Sequence, residues 1–387
     1  MKKEKNRAHT LTLPHELIVE ILLRLPVISL LRFKSVCKSW LSLISNPQFA
    51  KSQFDLAAPQ THRLLLRSTH FYIESIDVDA SLHDDSAIAY LPLPLPSPPT
   101  PRRREYAIDR SRENHEILGS CRGLILLHYE NGDLFVWNPS TGIYRRMSHS
   151  YCDLTYEFLY GFVYDASIDD YLLILIELYN PEVIASGWPT RIECISFRTD
   201  SWNRVEDVNG RYKDLGYEFR GGSLLNGVLH WLVFSEDKRV PLIICFGLVD
   251  RTLSEIPLPL DLTVQTKYEL YSLRVLGGCL SVCCSVHGCD RDEIWVMKEY
   301  KVQSSWTKSF GMYTYDIPHN HFSPICVTKD GGIFGSNFCG RLEKLNDKGE
   351  ILEHLTYRRS KGLYGGNLQF ALYRESLLPL PSVIGRK

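Results

Sequence analysis

Hydrophobic positions near the start of the chain recur with helical spacing. In the run Leu13-Pro14-His15-Glu16-Leu17-Ile18-Val19-Glu20-Ile21-Leu22-Leu23-Arg24-Leu25-Pro26, Leu17, Ile21 and Leu25 fall every four residues. Ile18 and Leu22 stand beside them, so one broad helix face is apolar. Pro14 suits the first turn, where a missing N–H is harmless, and Glu16 lies near the positive end of the helix dipole. Pro26 disfavours helical geometry at Leu25 and closes the element. A second short helix is expected around Leu30, Leu31 and Phe33. A third covers Val36, Cys37, Trp40, Leu41 and Ile44, with Asn46-Pro47 as its terminator. Helices this short are marginal alone in water and must pack on one another. Their apolar content exceeds what a small solvated module needs, which points to a partner lying against it.

After Phe54 the period changes. Leu64-Leu65-Leu66, Phe71-Tyr72-Ile73 and Ile76 with Val78 read as strands. The stretch 91–104 is too rich in proline for a central strand and reads as an extended surface loop. From Leu118 a repeated unit sets in: an apolar run with a Gly turn, a core strand, a polar turn, then an aromatic. The core strands are Leu134-Phe135-Val136-Trp137, Ile192 to Phe197, Ile243 to Phe246, Ile294 to Met297 and Leu342 to Leu345. After a longer first interval they recur at close to the roughly fifty residues of a kelch-type propeller blade. Asn226-Gly227, between apolar runs, signals a type I′ hairpin turn. One such unit cannot bury both faces alone, but radial stacking of about six can. A β-sandwich is the alternative, and it does not predict the spacing. Leu64 to Val78 is expected to supply one incomplete blade. The fold class is therefore α+β multidomain: a small all-α module of three short helices, then an all-β propeller-like domain. The expected division is a basic tail over 1–10, the helical module over 11–54, the propeller over 55–380 with its Pro-rich loop at 91–104, and a tail over 381–387.

Composition narrows this only in places. The chain has 387 residues, 44% of them hydrophobic, enough to exclude global disorder. A formal net charge of −1 gives no electrostatic reason to bind nucleic acid or an anionic membrane. The 11 cysteines are irregularly spaced, and Cys194, Cys245, Cys283 and Cys284 sit in apolar runs, which fits a reducing compartment. Glu16, Glu20 and Arg24 interrupt the first apolar stretch, so it is neither a signal peptide nor a membrane span. Cytoplasm or nucleus is the expected location.

Candidate chemistry is sparse. Cys279, Cys283, Cys284 and Cys289, with His287, would suit zinc if four ligands converged. Read as one strand, however, Val275 to Val286 puts Leu280, Val282, Cys284 and Val286 on one face and Cys283 on the other. Cys279 and Cys283 are then about 13 Å apart at roughly 3.3 Å per residue. His319-Asn320-His321 reads as a loop, and Asp77-Val78-Asp79 and Asp290-Arg291-Asp292 read as solvated turns. No phosphate-binding loop, nucleophile elbow or dinucleotide fingerprint is present. No metal or cofactor is expected.

The N-terminal pattern resembles the plant F-box. The resemblance runs through Leu13-Pro14, Leu17, Ile21-Leu22, Arg24-Leu25-Pro26-Val27, Leu30, Arg32-Phe33-Lys34, Val36-Cys37-Lys38, Trp40, Leu43-Ile44, Pro47 and Phe49. Gly119 to Leu124, Trp137 to Gly142, Leu225 to Trp231 and Trp295 to Tyr300 are similar to the F-box-associated domain of plant F-box/kelch-repeat proteins. The resemblance implies a non-catalytic substrate-recognition subunit of an SCF-type ubiquitin ligase. Its F-box would bind a Skp-family adaptor, and through it the cullin–RING core, while the propeller holds an unknown protein substrate. Leu13, Pro14, Leu17, Ile18, Ile21, Leu22, Leu25, Pro26, Leu30, Leu31, Val36, Cys37 and Trp40 would carry the adaptor interface and its supporting core, two roles the sequence leaves unseparated. A scaffold that sequesters the adaptor without degrading anything is the rival. A propeller metalloenzyme, needing Tyr and His ligands on one face, is a further one.

Overall fold

Proline at helix starts and apolar side chains every three or four residues give the N-terminal helices. The computed structural model describes residues 13–56, 62–67, 72–93, 115–129, 132–147, 158–178, 190–205, 210–215, 220–263, 268–286, 291–313, 321–337, 340–356 and 369–382. Helix α1 spans His15–Leu23, α2 Val27–Phe33, α3 Lys38–Ile44 and α4 Pro47–Leu56. Pro14 and Pro26 sit just before α1 and α2 with extended ψ, and their carbonyls accept from Ile18 (3.2 Å) and Leu30 (3.1 Å). The fourth helix was not expected. Pro47 does follow the end of α3, but it also occupies the first position of α4, where a proline needs no donor. Asn46 caps it, its Oδ1 accepting from the Gln48 amide at 2.7 Å.

Among the described residues the strands form six antiparallel sheets, and these are the blades of a propeller. Blade 1 holds β1 (His62–Arg67), β2 (Tyr72–Asp77) and β3 (Ile88–Pro92). Blade 2 follows with β4 (His115–Cys121), β5 (Leu124–Tyr129), β6 (Leu134–Trp137) and β7 (Tyr144–Arg146). Blade 3 is β8 (Phe158–Asp165), β9 (Asp170–Glu177), β10 (Arg191–Ser196) and β11 (Ser201–Val205). In blade 4, β12 (Tyr212–Asp214) and β13 (Ser223–Leu225) both pair with β14 (Val228–Ser235), followed by β15 (Val240–Gly247) and β16 (Leu253–Pro257). Blade 5 is β17 (Tyr268–Leu276), β18 (Cys279–Val286), β19 (Arg291–Met297) and β20 (Trp306–Tyr313). Blade 6 is β21 (Phe322–Val327), β22 (Ile333–Asn337), β23 (Arg341–Leu345) and β24 (Ile351–Thr356).

The five core strands expected from sequence are β6, β10, β15, β19 and β23, the next-to-last strand of each blade from 2 to 6. Blade 1 is the incomplete one, and the other end of the chain completes it. Strand β25 (Phe370–Arg374) pairs with β1, Leu64 facing Leu372 and Leu66 facing Phe370. The ring is thus closed by hydrogen bonds between distant parts of the chain.

Six apolar clusters fill the six gaps between neighbouring blades. Leu65, Ile73 and Tyr373 of blade 1 meet Ile125, Leu127 and Trp137 of blade 2. Leu64, Leu66 and Ile76 meet Phe334 and Leu342 of blade 6 on the other side. Asn226 and Gly227 both have positive φ, as a type I′ turn requires, and so do Arg122-Gly123 and Gly277-Gly278 in blades 2 and 5.

Three local expectations change. Leu91 and Pro92 belong to β3, where Pro92 is tolerated because β3 is an edge strand; 94–104 lie outside the described residues. Val275 to Val286 is not one strand, because Gly277-Gly278 folds it into the β17–β18 hairpin. Leu280, Val282 and Cys284 still face blade 4 while Cys283 faces blade 6. Asp292 is not in a solvated turn. It is buried on β19, accepting from the Phe322 amide at 2.8 Å and lying 3.0 Å from His321 Nδ1.

His230 of β14 is buried between blades 4 and 5, with Nε2 2.9 Å from Tyr300 Oη and Nδ1 3.0 Å from the Ser223 carbonyl. Burial, opposed by the Ser223 hydrogen bond, lowers its pKa below the usual 6.5. The unfolded chain therefore binds this proton at higher pH than the folded one. Stability from neutral His230 is complete above about pH 6.5 and is lost as pH falls through the lower folded value. Urea titrations at about pH 7.5 and about pH 5 should show this acid-side loss. His230→Gln should reduce it, and an identical loss in the variant would refute the assignment.

The candidate adaptor-facing surface and its seat on the propeller

The helices sort their apolar side chains into two sets. Leu22, Leu23, Val27, Leu30, Ile44, Phe49 and Ala50 are buried together. Ile18, Leu25, Leu31, Phe33, Trp40 and Leu43 are half-buried around them. The remainder face outward: Leu17 and Ile21 are each 50% exposed, one turn apart on α1, and Leu13, Ile28, Val36 and Leu41 are exposed as well.

Each sequence-nominated residue now has a place. Leu13, Pro14, Leu17, Ile21, Pro26, Val36 and Cys37 are exposed; Ile18, Leu25, Leu31 and Trp40 are half-buried; Leu22 and Leu30 are buried. The last two belong to the supporting core and present nothing to a partner. Cys37 also caps α3, its sulfur accepting from the Trp40 amide at 3.5 Å. Sequence reasoning did not single out Ile28, and it placed Leu41 only in a helix, because an apolar side chain on a short helix reads as core until its neighbours are known. Glu20 and Arg24 form an exposed pair at 2.6 Å, contributing about 0.3–0.5 kcal/mol.

The helix core is not made by the helices alone. Leu377 and Leu378, which follow the ring-closing strand, are buried in the same cluster as Leu22 and Leu30. Residues expected within the propeller segment thus lie between it and the helices. Asn138 holds them there. Its Nδ2 donates to the carbonyls of Ser376 and Leu378 (3.0 Å each), while its Oδ1 accepts from the Ser140 amide at 2.9 Å. Ser140 Oγ accepts from the Ser376 amide at 3.0 Å. Asn138 is fully buried. The turn Asn138-Pro139-Ser140-Thr141-Gly142, read from sequence only as a strand connection, grips the C-terminal segment.

A second contact lies at the end of α4. The Arg374 guanidinium stacks on the Phe54 ring at 3.5 Å and donates to the Phe54 carbonyl. Arg122 lies 5.2 Å from the same ring, 4.3 Å from that of Tyr164 and 3.7 Å from Asp55. Burial, aided by the charge of Arg122, lowers the pKa of Arg374, and Asp55 opposes the shift. Gly123 lets the C-terminal segment lie against the β4–β5 turn: it has φ +80°, and a Cβ there would sit 2.3 Å from Ser376 Cβ.

Residues 11–52 match the F-box domain family, and residues 71–337 match the F-box associated beta propeller domain family. The chain belongs to the F-box proteins with an F-box-associated propeller. It is 28% identical over 318 residues to the Arabidopsis thaliana F-box/kelch-repeat protein At3g23880, covering 76% of this chain and 78% of that one. It is 29% identical over 348 residues to F-box protein CPR1 of the same plant, covering 82% and 78%. The exposed apolar residues of α1 to α3 are therefore on the F-box, and the segment gripped by Asn138 joins the F-box to its propeller.

The cysteines expected as hydrophobes are placed as such where described. Cys245 and Cys283 are buried, and burial pushes each thiol up to about 12. His287, Cys289 and His319 lie outside the described residues. Among the described residues no helix is long and apolar enough to cross a membrane.

Asn138→Ala removes both donors to the C-terminal segment and should cost about 1–3 kcal/mol of stability in urea unfolding of the full chain. Asn138→Asp should cost at least as much, since a carboxylate oxygen would then face two carbonyl oxygens. Native-like stability in both would show that the grip contributes nothing.

Proposed function

We propose that this chain is the substrate-recognition subunit of an SCF-type ubiquitin ligase. The observation that carries the reading is the outward-facing pair Leu17 and Ile21 on α1, each 50% exposed and outside the buried helix cluster, in a domain of the F-box family. Leu13, Pro14, Ile28, Val36 and Leu41 extend the apolar surface offered to a Skp-family adaptor. The adaptor brings the cullin–RING core, and the propeller holds the target beside the charged conjugating enzyme. The mechanism is positional. Holding two reactants together raises their effective concentration, so transfer proceeds with no catalytic side chain from this chain.

We place the target on the propeller end away from the F-box. The antiparallel order of each blade puts its first and third turns at one end, and Arg122 and Asn138 there meet α4 and the C-terminal segment. The longest stretches of sequence between strands join strand ends at the opposite end, among them Pro92 to His115, Arg146 to Phe158 and Glu177 to Arg191. Long connections between the strands of a rigid scaffold suit recognition of a variable partner.

Leu17→Glu with Ile21→Glu should abolish adaptor capture in a pull-down without lowering the unfolding midpoint. Burying one such side chain is worth about 1.5–3 kcal/mol, and charge there is worse. Leu13-Pro14→Ala-Ala should weaken capture in the same assay. Leu30→Ala should instead destabilise the F-box by about 2–5 kcal/mol. Adaptor binding that survives the double glutamate variant would remove the interface assignment. Accumulation of a bound protein when the proteasome is inhibited separates a ligase subunit from a sequestering scaffold.

A further inference from the structure

Two sets of contacts, both using the stretch from Arg374 to Leu378, seat the F-box on the propeller. In the first, Phe54 at the end of α4 is stacked by Arg374 at 3.5 Å, with Arg122 at 5.2 Å leading on to Tyr164. These side chains come from α4, β25, the β4–β5 turn and β8, so blades 1, 2 and 3 all take part. In the second, the segment after β25 is pinned by Asn138 and Ser140 and drives Leu377 and Leu378 into the F-box core. A single contact would leave the helices free to turn about it. The two sets adjoin, since Phe54 packs against the same cluster as Leu377 and Leu378, and together they form one extended joint that opposes that rotation.

We infer that Phe54, Arg122, Arg374 and the segment held by Asn138 are positioning elements that lock the F-box at one angle to the propeller, so that this chain itself fixes where a bound target stands relative to the adaptor. None of these groups is on the exposed apolar surface offered to the adaptor. The C-terminal segment can serve in this way because the ring closes with the last strand innermost in blade 1, which delivers the residues after it to the F-box end. The consequence for transfer rests on the proposed receptor role: a fixed angle concentrates the lysines that fall within reach of the conjugating enzyme and excludes others.

The joint can be tested on the full chain without any partner. Spin labels on non-canonical residues replacing Ser39 and Val249, both exposed, leave the native cysteines untouched. Double electron–electron resonance on the native sequence should give one narrow distance distribution. Arg122→Ala with Arg374→Ala, and separately Asn138→Ala, should broaden it. A broad native distribution overturns the proposal, and so does a distribution that stays narrow in all the variants. Arg374→Lys keeps the charge but loses the planar stack, and it supplies the comparison if the double variant does not fold. In a reconstituted ligase, the lysines of the native chain that receive ubiquitin, mapped by mass spectrometry, should form a confined set. That set should spread in the double variant while adaptor affinity stays unchanged; an unchanged set overturns the proposed consequence. A native chain that captures no adaptor but keeps its narrow distribution would count against the receptor role alone and leave the joint standing.

Discussion

Strands such as β5 and β15 bury side chains on both faces of their sheets, with Leu124 to Leu127 and Leu242 to Phe246 all buried. A sheet built from them is stable only between two others. A row of such sheets would leave an apolar face bare at each end, and bending the row into a ring removes both bare faces. The ring must then be held shut. Here the hydrogen bonds between β1 and β25 do this, joining residues near 65 to residues near 372. Nearly everything else in the molecule follows from that closure.

Because the last strand is innermost in the first blade, the chain emerges from the propeller close to where the helices enter it. Two of the residues that follow, Leu377 and Leu378, become part of the F-box core. Leu377 and Leu378 fill space among Leu22, Leu30 and Ile44 that the four short helices do not fill themselves. A helical module too small to bury its own apolar residues is thereby supported on one side by the propeller. On its other side, Leu17, Ile21 and their neighbours face outward. The division between supporting core and outward-facing surface follows from which side chains the propeller and its C-terminal segment cover.

The same geometry accounts for polar residues in unexpected places. Asp292 and His230 are buried because each joins neighbouring blades, Asp292 to the start of β21 and His230 to Tyr300. Arg122, with its positive φ of 50°, sits at a tight hairpin turn whose position on the F-box side gives the guanidinium two rings to lie against. Such groups resemble functional clusters when seen in isolation. Their partners show them to be joints.

The sequence by itself determined the local structure and the repeat. Proline positions and a helical period marked α1 to α3, and apolar runs at near-constant spacing marked the next-to-last strand of five blades. Asn226-Gly227 specified its hairpin, since those residue types accept the positive φ the turn demands. These signals are short-range, carried by residues within a few positions of one another. Where two local signals competed, the reading failed. Pro47 both ends α3 and begins α4, and Gly277-Gly278 turns the chain inside an alternating apolar run. Only the tertiary structure decided which strand completes blade 1, which of the nominated F-box residues are core and which are surface, and what Asn138 holds. Each of those depends on contacts between residues that lie far apart along the chain. No local pattern encodes such a contact, because its energy exists only once the ring has closed.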